Sequence, residues 1–98
     1  MIRHIVMWKI ADTENKEERA RAIKENLEAL TDKIDAIVSL EVGININKTP
    51  YAADVVLVSD FNTSDDLAKY ADDPRHKAVG AAYVGPYVTE RRVVDYEY

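Results

Sequence analysis

Residues 2–10 read Ile2-Arg-His-Ile-Val-Met-Trp-Lys-Ile10, and this segment decides the fold. Its β-branched and aromatic residues predict a first strand. Because side chains alternate along a strand, one face carries His4 and Trp8 while the other carries Met7. Both faces have an apolar centre, so the sequence predicts that this strand is covered on both sides.

Helix and strand patterns alternate along the next part of the chain. Over residues 14–34, apolar residues recur at spacings of three and four, which predicts a helix with one buried stripe. The stripe consists of Ala20, Ile23, Leu27, Leu30 and Ile34. Residues 36–46 predict a second strand whose apolar face, the even-numbered positions, is unbroken. Residues 53–61 predict a third strand that is apolar on both faces.

A broken helix and a last strand complete the pattern. Asn62 or Thr63 can cap a short helix over residues 63–71. Pro74 ends that helix, because proline disfavours helical geometry at the residue before it, and can begin a further short helix. Residues 88–98 predict the fourth strand.

The order β-α-β-β-α-β predicts an α+β protein with a ferredoxin-like, four-stranded antiparallel sheet and helices on one face. The other face would expose Val, Ile, Leu and Trp side chains. Burying ~500 Å² of such surface is worth on the order of 12 kcal/mol, whereas association costs roughly 4–15 kcal/mol. We therefore expect a homodimer through the sheet faces, forming a dimeric α/β barrel, with a ligand crevice between sheet and helices.

Composition excludes several classes of function. The net charge of −5 argues against nucleic acid as a partner, which needs clustered Lys and Arg. The absence of cysteine excludes disulfides, thiol catalysis and Cys-ligated zinc. No signal peptide or apolar run of ~18 residues is present, so no membrane partner is expected. We expect one domain over residues 1–98 and a cytoplasmic location.

The segment Tyr70-Ala-Asp-Asp-Pro-Arg-His76 is the candidate chemical site. An imidazole can exchange a proton near neutral pH, and a phenol can polarise a carbonyl group. Asp73 could hydrogen-bond to His76 and raise the pKa of its imidazole. The alternative is that His76 packs at a turn and donates to a backbone carbonyl. His4 and Trp8 share one face of the first strand and are the candidate substrate-binding residues.

No metal or cofactor site is predicted. The chain has two histidines without HxH or HExxH spacing, which is a weak metal signal. A Gly-rich phosphate loop, a P-loop and a serine-nucleophile motif are all absent.

Three segments together resemble the stress-responsive A/B barrel domain (Dabb) family: residues 2–10, Tyr70-x-x-x-Pro-x-His76, and Val94-Asp95-Tyr96. The resemblance covers nearly the whole chain and implies a dimeric α+β barrel. Most members have no assigned function. A plant member closes a linear polyketide by intramolecular aldol condensation. The resemblance implies that its catalytic histidine and tyrosine correspond to His76 and Tyr70, and a further pocket histidine to His4. Asp73 stands where many members have histidine.

Two main hypotheses follow for the function. The first is a cofactor-free cyclase or isomerase type of enzyme that acts on a carbonyl-containing small molecule, with His76 as base and Tyr70 as polariser. The alternative is a non-catalytic, stress-related or hydrophobic-ligand-binding homodimer. A cofactor-free oxygenase is a third option, by analogy of fold alone.

Overall fold

The first strand is the centre of the molecule and pairs along both of its edges. The strands are β1 (Ile2–Ile10), β2 (Ile37–Ile44), β3 (Val55–Phe61) and β4 (Val88–Glu97). The computed structural model describes residues 1–98 and joins these strands in the order β2-β3-β1-β4, with every pair antiparallel. The predicted ferredoxin-like α+β class is confirmed.

Three helices cover one face of this sheet. They are α1 (Lys16–Glu28), α2 (Ser64–Asp72) and α3 (Pro74–Val79). A 3₁₀ turn over Ala29–Asp32 extends α1, and a π turn over Gly80–Val84 extends α3. All five residues of the predicted apolar stripe are buried and pack into one core with the sheet.

The break between α2 and α3 follows from two caps and a proline. The Thr63 hydroxyl accepts from the Asp66 backbone N–H at 3.1 Å and begins α2. Asp73 has extended backbone, with ψ of 130°, as expected of a residue before proline. Its carboxylate accepts from the Arg75 backbone N–H at 2.8 Å, so the chain starts a new helix at Pro74.

The second strand differs from the prediction. The register with β3 shifts between Ile37 and Ser39, so Val38 is an extra residue. Such a bulge reverses which face the following residues occupy. Ile37 is buried, Val38 is 49% exposed, and Ile46 lies beyond the strand at 90% exposure. The prediction of an unbroken apolar face over residues 36–46 is therefore wrong.

The sheet face opposite the helices, called here the open face, carries an apolar strip. It consists of Ile5, Met7, Val56, Val58 and Val94, which the strand registers place side by side. Met7 and Val94 are 40% and 54% exposed. The expectation that Trp8 belongs to the exposed face is wrong, because Trp8 shares the helix-covered face with Val6 and is 5% exposed.

A buried carboxylate ties the strands together at one end of the open face. Asp60 accepts hydrogen bonds from Arg3 Nε, the Ser39 hydroxyl and the Tyr98 hydroxyl, each at 2.9 Å. The hydrogen bond from Arg3 lowers the pKa of Asp60 more than any other contact. The Tyr98 backbone N–H also donates to the Met1 carbonyl at 3.1 Å, which holds both chain ends here.

Truncation of the α1 stripe tests the core. Ile23 is 0% exposed, and we expect Ile23→Ala to lower the free energy of unfolding by about 2–5 kcal/mol, through lost burial and the cavity left behind. Arg21→Ala, on the exposed side of the same helix, should change it by less than about 0.5 kcal/mol. Urea unfolding measures both, and equal losses would contradict the assignment of faces.

Candidate active site

A cavity of about 260 Å³ lies between the sheet and the helical layer. Its apolar walls come from β1, β3, β4, α1 and the π turn: Val6, Leu57, Val88, Leu27 and Val84. Its polar lining comes from His4, His76 and Arg91, and the indole ring of Trp8 adds a further apolar surface. An apolar enclosure with a few convergent polar groups is the usual composition of a small-molecule site.

Tyr70 contacts both histidines without itself lining the cavity. The ring is 1% exposed and lies 5.2 Å from the Phe61 ring, 4.3 Å from the His76 ring and 6.3 Å from the His4 ring, between centroids. Its hydroxyl has no hydrogen-bond partner. Burial raises the pKa of Tyr70 to about 12. The hydroxyl therefore keeps its proton at neutral pH and is a donor without an acceptor.

His76 is half-buried and held by the end of α2. Its Nδ1 lies 3.2 Å from the Ala71 carbonyl oxygen. Because a carbonyl oxygen only accepts, this contact assigns the ring proton to Nδ1 and leaves a free lone pair on Nε2. Burial lowers the pKa of His76, and the Ala71 hydrogen bond acts in the opposite direction. The neutral imidazole, which can accept a proton, is therefore favoured near pH 7.

Asp73 does not hydrogen-bond to His76, contrary to the prediction. Its carboxylate accepts from Arg75 Nε at 3.0 Å and from Arg75 Nη2 at 2.8 Å. These side-chain bonds, followed by the backbone bond from Arg75, lower the pKa of Asp73 to about 2. The predicted rise in the pKa of His76 is also wrong, because burial outweighs the weak attraction of Asp73.

His4 is oriented by a carboxylate that sequence reasoning missed. The register of β1 and β4 places Asp95 opposite His4, and Asp95 Oδ1 lies 2.5 Å from His4 Nδ1. Since a carboxylate accepts, His4 Nδ1 carries a proton and Nε2 is free of protein partners. Asp95 belongs to the motif Val94-Asp95-Tyr96, and antiparallel pairing of the first and last strands was the signal that could have found it.

Arg91 is the second residue that sequence reasoning missed. It lies opposite Trp8 in the β1–β4 register and lines the cavity. Its guanidinium forms no ion pair, because no carboxylate lies within 4.0 Å of it. Four positions separate it from Asp95, so both project from the same face of β4, which a strand period of two would have indicated.

The structure thus brings three of the four predicted site residues, His4, Trp8 and His76, to one cavity and packs Tyr70 against the two histidines. The indole N–H of Trp8 has no hydrogen-bond partner, like the Tyr70 hydroxyl. No three His, Asp or Glu side chains are grouped as a metal site would require. None of the helices is long and apolar enough to cross a membrane.

The antiparallel sheet with one helical layer and a partly open polar–apolar cavity between them defines a small α+β protein of ferredoxin-like fold. The sequence model of the stress responsive A/B barrel domain matches residues 2–98. The chain therefore belongs to the stress-responsive A/B barrel domain family, which confirms the resemblance seen in the three sequence segments.

Relatives of the chain agree with this assignment. An uncharacterized protein of Streptomyces coelicolor is 33% identical over 99 residues, covering 100% of both chains. The crystal structure of a dimeric protein of unknown function and ferredoxin-like fold from Bacteroides fragilis is 36% identical, with a TM-score of 0.90, over 99% of this chain and 95% of that one. A hydroxynitrile lyase from Passiflora edulis is 15% identical, with a TM-score of 0.73, over 97% and 90% of the two chains, and shows the shared fold alone.

The lowered pKa of His76 predicts a pH-dependent contribution to stability. In the unfolded chain the imidazole has its ordinary pKa of 6.5, whereas burial lowers the pKa in the folded protein. Below pH 6.5 the unfolded chain takes up the proton first, so stability is lost as the pH falls toward the folded pKa. From about pH 7.5 to about pH 5, the melting temperature should fall more steeply for the native protein than for His76→Gln.

Lys77→Gln provides the matched control for this measurement, because it changes the exposed neighbour on α3 and keeps the imidazole. Its melting temperature should follow the native pH dependence. An identical pH slope in His76→Gln and the native protein would contradict the buried, neutral state of His76.

Proposed function

We propose that this protein performs cofactor-free acid–base chemistry on a carbonyl-containing small molecule bound in the cavity. One observation carries the proposal: two imidazoles, each with Nδ1 occupied and Nε2 free, meet in a cavity of about 260 Å³ beside an unpartnered buried phenol. Groups held in one tautomer with a free basic nitrogen are what proton transfer from carbon requires.

The proposed reaction begins with proton transfer to His76. Nε2 of the neutral imidazole takes a proton from the carbon next to the carbonyl, and the electron pair of that C–H bond forms an enolate. Tyr70, which packs against both histidine rings behind the cavity wall, is the proposed hydrogen-bond donor to the enolate oxygen, and its hydroxyl has to become accessible to the substrate for this step. Where a C=C bond lies beyond the deprotonated carbon, the electron pair extends to its far carbon, and return of the proton from His76 to that carbon gives an isomer. Where the substrate carries a second carbonyl, attack of the enolate carbon on it closes a ring, and the alkoxide so formed takes the proton back from His76. His4, fixed by Asp95, orients the substrate.

A non-catalytic role as a hydrophobic-ligand-binding protein is the second candidate. It is favoured by two observations: Nδ1 of His76 is bonded to the backbone of Ala71, and Tyr70 does not line the cavity. The hydroxynitrile lyase of the same fold does not decide between the two candidates, because at 15% identity its activity does not carry over.

Substitution of the two proposed catalytic residues tests the first candidate. The probe is benzylacetone, whose protons next to the carbonyl exchange for deuterium in heavy water as the enolate forms. We expect His76→Gln to slow the protein-catalysed exchange by about 10²–10⁴-fold, and Tyr70→Phe by about 10²-fold. Tyr70→Phe should leave the melting temperature unchanged or raise it, because the hydroxyl has no hydrogen bond to lose and its burial is uncompensated. Proton NMR measures the exchange.

Tyr83→Phe is the control, since it removes a phenol hydroxyl from a side chain that is 38% exposed on the π turn. It should retain native exchange. Exchange by the native protein no faster than in buffer would favour the binding role. Native exchange in Tyr70→Phe would remove Tyr70 from the mechanism.

We also propose that the protein is a homodimer through its open face. The support is the exposed apolar strip on that face and the dimeric state of the Bacteroides fragilis relative. A second copy would bury the strip against its own equivalent, as a two-fold interface requires. The cytoplasmic location stays a prediction that rests on composition.

A charge placed in the strip tests the dimer. In Val58→Asp, which lies opposite Ile5 and Glu41 in the sheet, a carboxylate would have to be buried without a cationic partner between the sheets, so we expect a monomer at micromolar concentration by analytical ultracentrifugation. Circular dichroism should show that the fold is retained. Tyr83→Asp, outside the open face, should remain dimeric, and a monomeric native protein would refute the proposal.

A further inference from the structure

Apart from the two imidazoles, the polar groups in and beside the cavity are hydrogen-bond donors without acceptors. The Trp8 indole N–H and the Tyr70 hydroxyl are unpartnered, in side chains that are 5% and 1% exposed. A buried donor without a partner costs free energy that a ligand oxygen recovers on binding. Of the two side chains only Trp8 lines the cavity, and a ligand oxygen that reached its indole N–H would recover this cost.

Arg91 adds a fixed positive charge to this lining. A guanidinium keeps its proton at any physiological pH and presents a fork of donors that matches a carboxylate. No carboxylate of the chain lies within 4.0 Å of it. Asp95, on the same face of β4, is engaged by His4. The positive charge at the cavity is therefore free to pair with a ligand.

The walls of the cavity favour a ligand with an apolar body, and the cavity volume limits its size. The walls are aliphatic side chains from five elements of the fold. The volume of about 260 Å³ lies near the lower end of small-molecule sites. A cationic ligand would be repelled by Arg91 and would bring no acceptor for the indole N–H. A neutral apolar ligand would leave the guanidinium unpaired.

We propose that the cavity binds a small apolar carboxylate whose acid group pairs with Arg91. The inference rests on the proposed function and names its substrate class: an apolar keto acid, whose carboxylate is held by Arg91 while its ketone lies against the two histidines. The carboxylate anchors the molecule and is not consumed in the reaction.

Titration calorimetry with two matched probes tests this assignment. Hydrocinnamate and its amide have the same apolar body and differ in the charge of the oxygen-bearing group. We expect hydrocinnamate to bind the native protein about tenfold or more tightly than the amide, as a hydrogen-bonded charge pair implies. Arg91→Gln should remove this preference. Arg21→Gln, which loses the same charge from the exposed side of α1, should keep it.

The outcomes separate this inference from the proposed chemistry. Equal affinity of the acid and the amide for the native protein, or an equal loss of preference in both arginine variants, would overturn the carboxylate assignment. Benzylacetone lacks a carboxylate, so its exchange by the native protein tests the acid–base chemistry without the Arg91 contact. Native exchange no faster than in buffer, together with a clear preference for hydrocinnamate over its amide, would overturn the proposed chemistry and leave the carboxylate assignment standing. In His76→Gln we expect slow exchange and a retained preference for the acid.

Discussion

The constraint on which the structure depends is that β1 pairs along both of its edges. A strand with β3 on one side and β4 on the other cannot rotate, so alternate side chains are committed to opposite faces. His4 and Trp8 thereby lie under the helices, while Met7 lies on the open face. A slip of one residue would exchange these sets and would place both Met7 and Arg3 in the cavity.

The same pairing assembles the polar groups of the site from distant parts of the chain. His4 meets Asp95, 91 positions away, only because the first and last strands are neighbours. Arg91 comes opposite Trp8 in the same ladder. The position of the last strand thus determines both the tautomer of one imidazole and the charge beside the cavity.

The break between α2 and α3 at Pro74 is the second feature that assembles the site. On a continuous helix, residues six apart are separated by about 9 Å along the axis and lie on different faces. Tyr70 and His76 could not stack on such a helix. Extended backbone at Asp73 lets α3 turn back against α2, and the two rings come within 4.3 Å. The Ala71 carbonyl then lies within reach of His76.

The elements and the Tyr70–His76 proximity could be predicted from the sequence, because hydrophobic period and proline geometry are local properties. The side occupied by Trp8 could not, since β1 is apolar on both faces and its pattern does not say which face the helices cover. The bulge at Val38 depends on the register with β3. Spacing favours Asp73 as a partner of His76, but the guanidinium of Arg75 is a stronger, bidentate partner.

The chain contains one tryptophan, and it is Trp8. All indole fluorescence of the protein therefore originates at the wall of the cavity, beneath the helices and beside Arg91. The emission of this side chain depends on what contacts the ring and on whether its N–H is hydrogen-bonded. The native sequence thus carries its own optical reporter of an occupied cavity, so that ligands of any chemical class can be sought without labelling the protein.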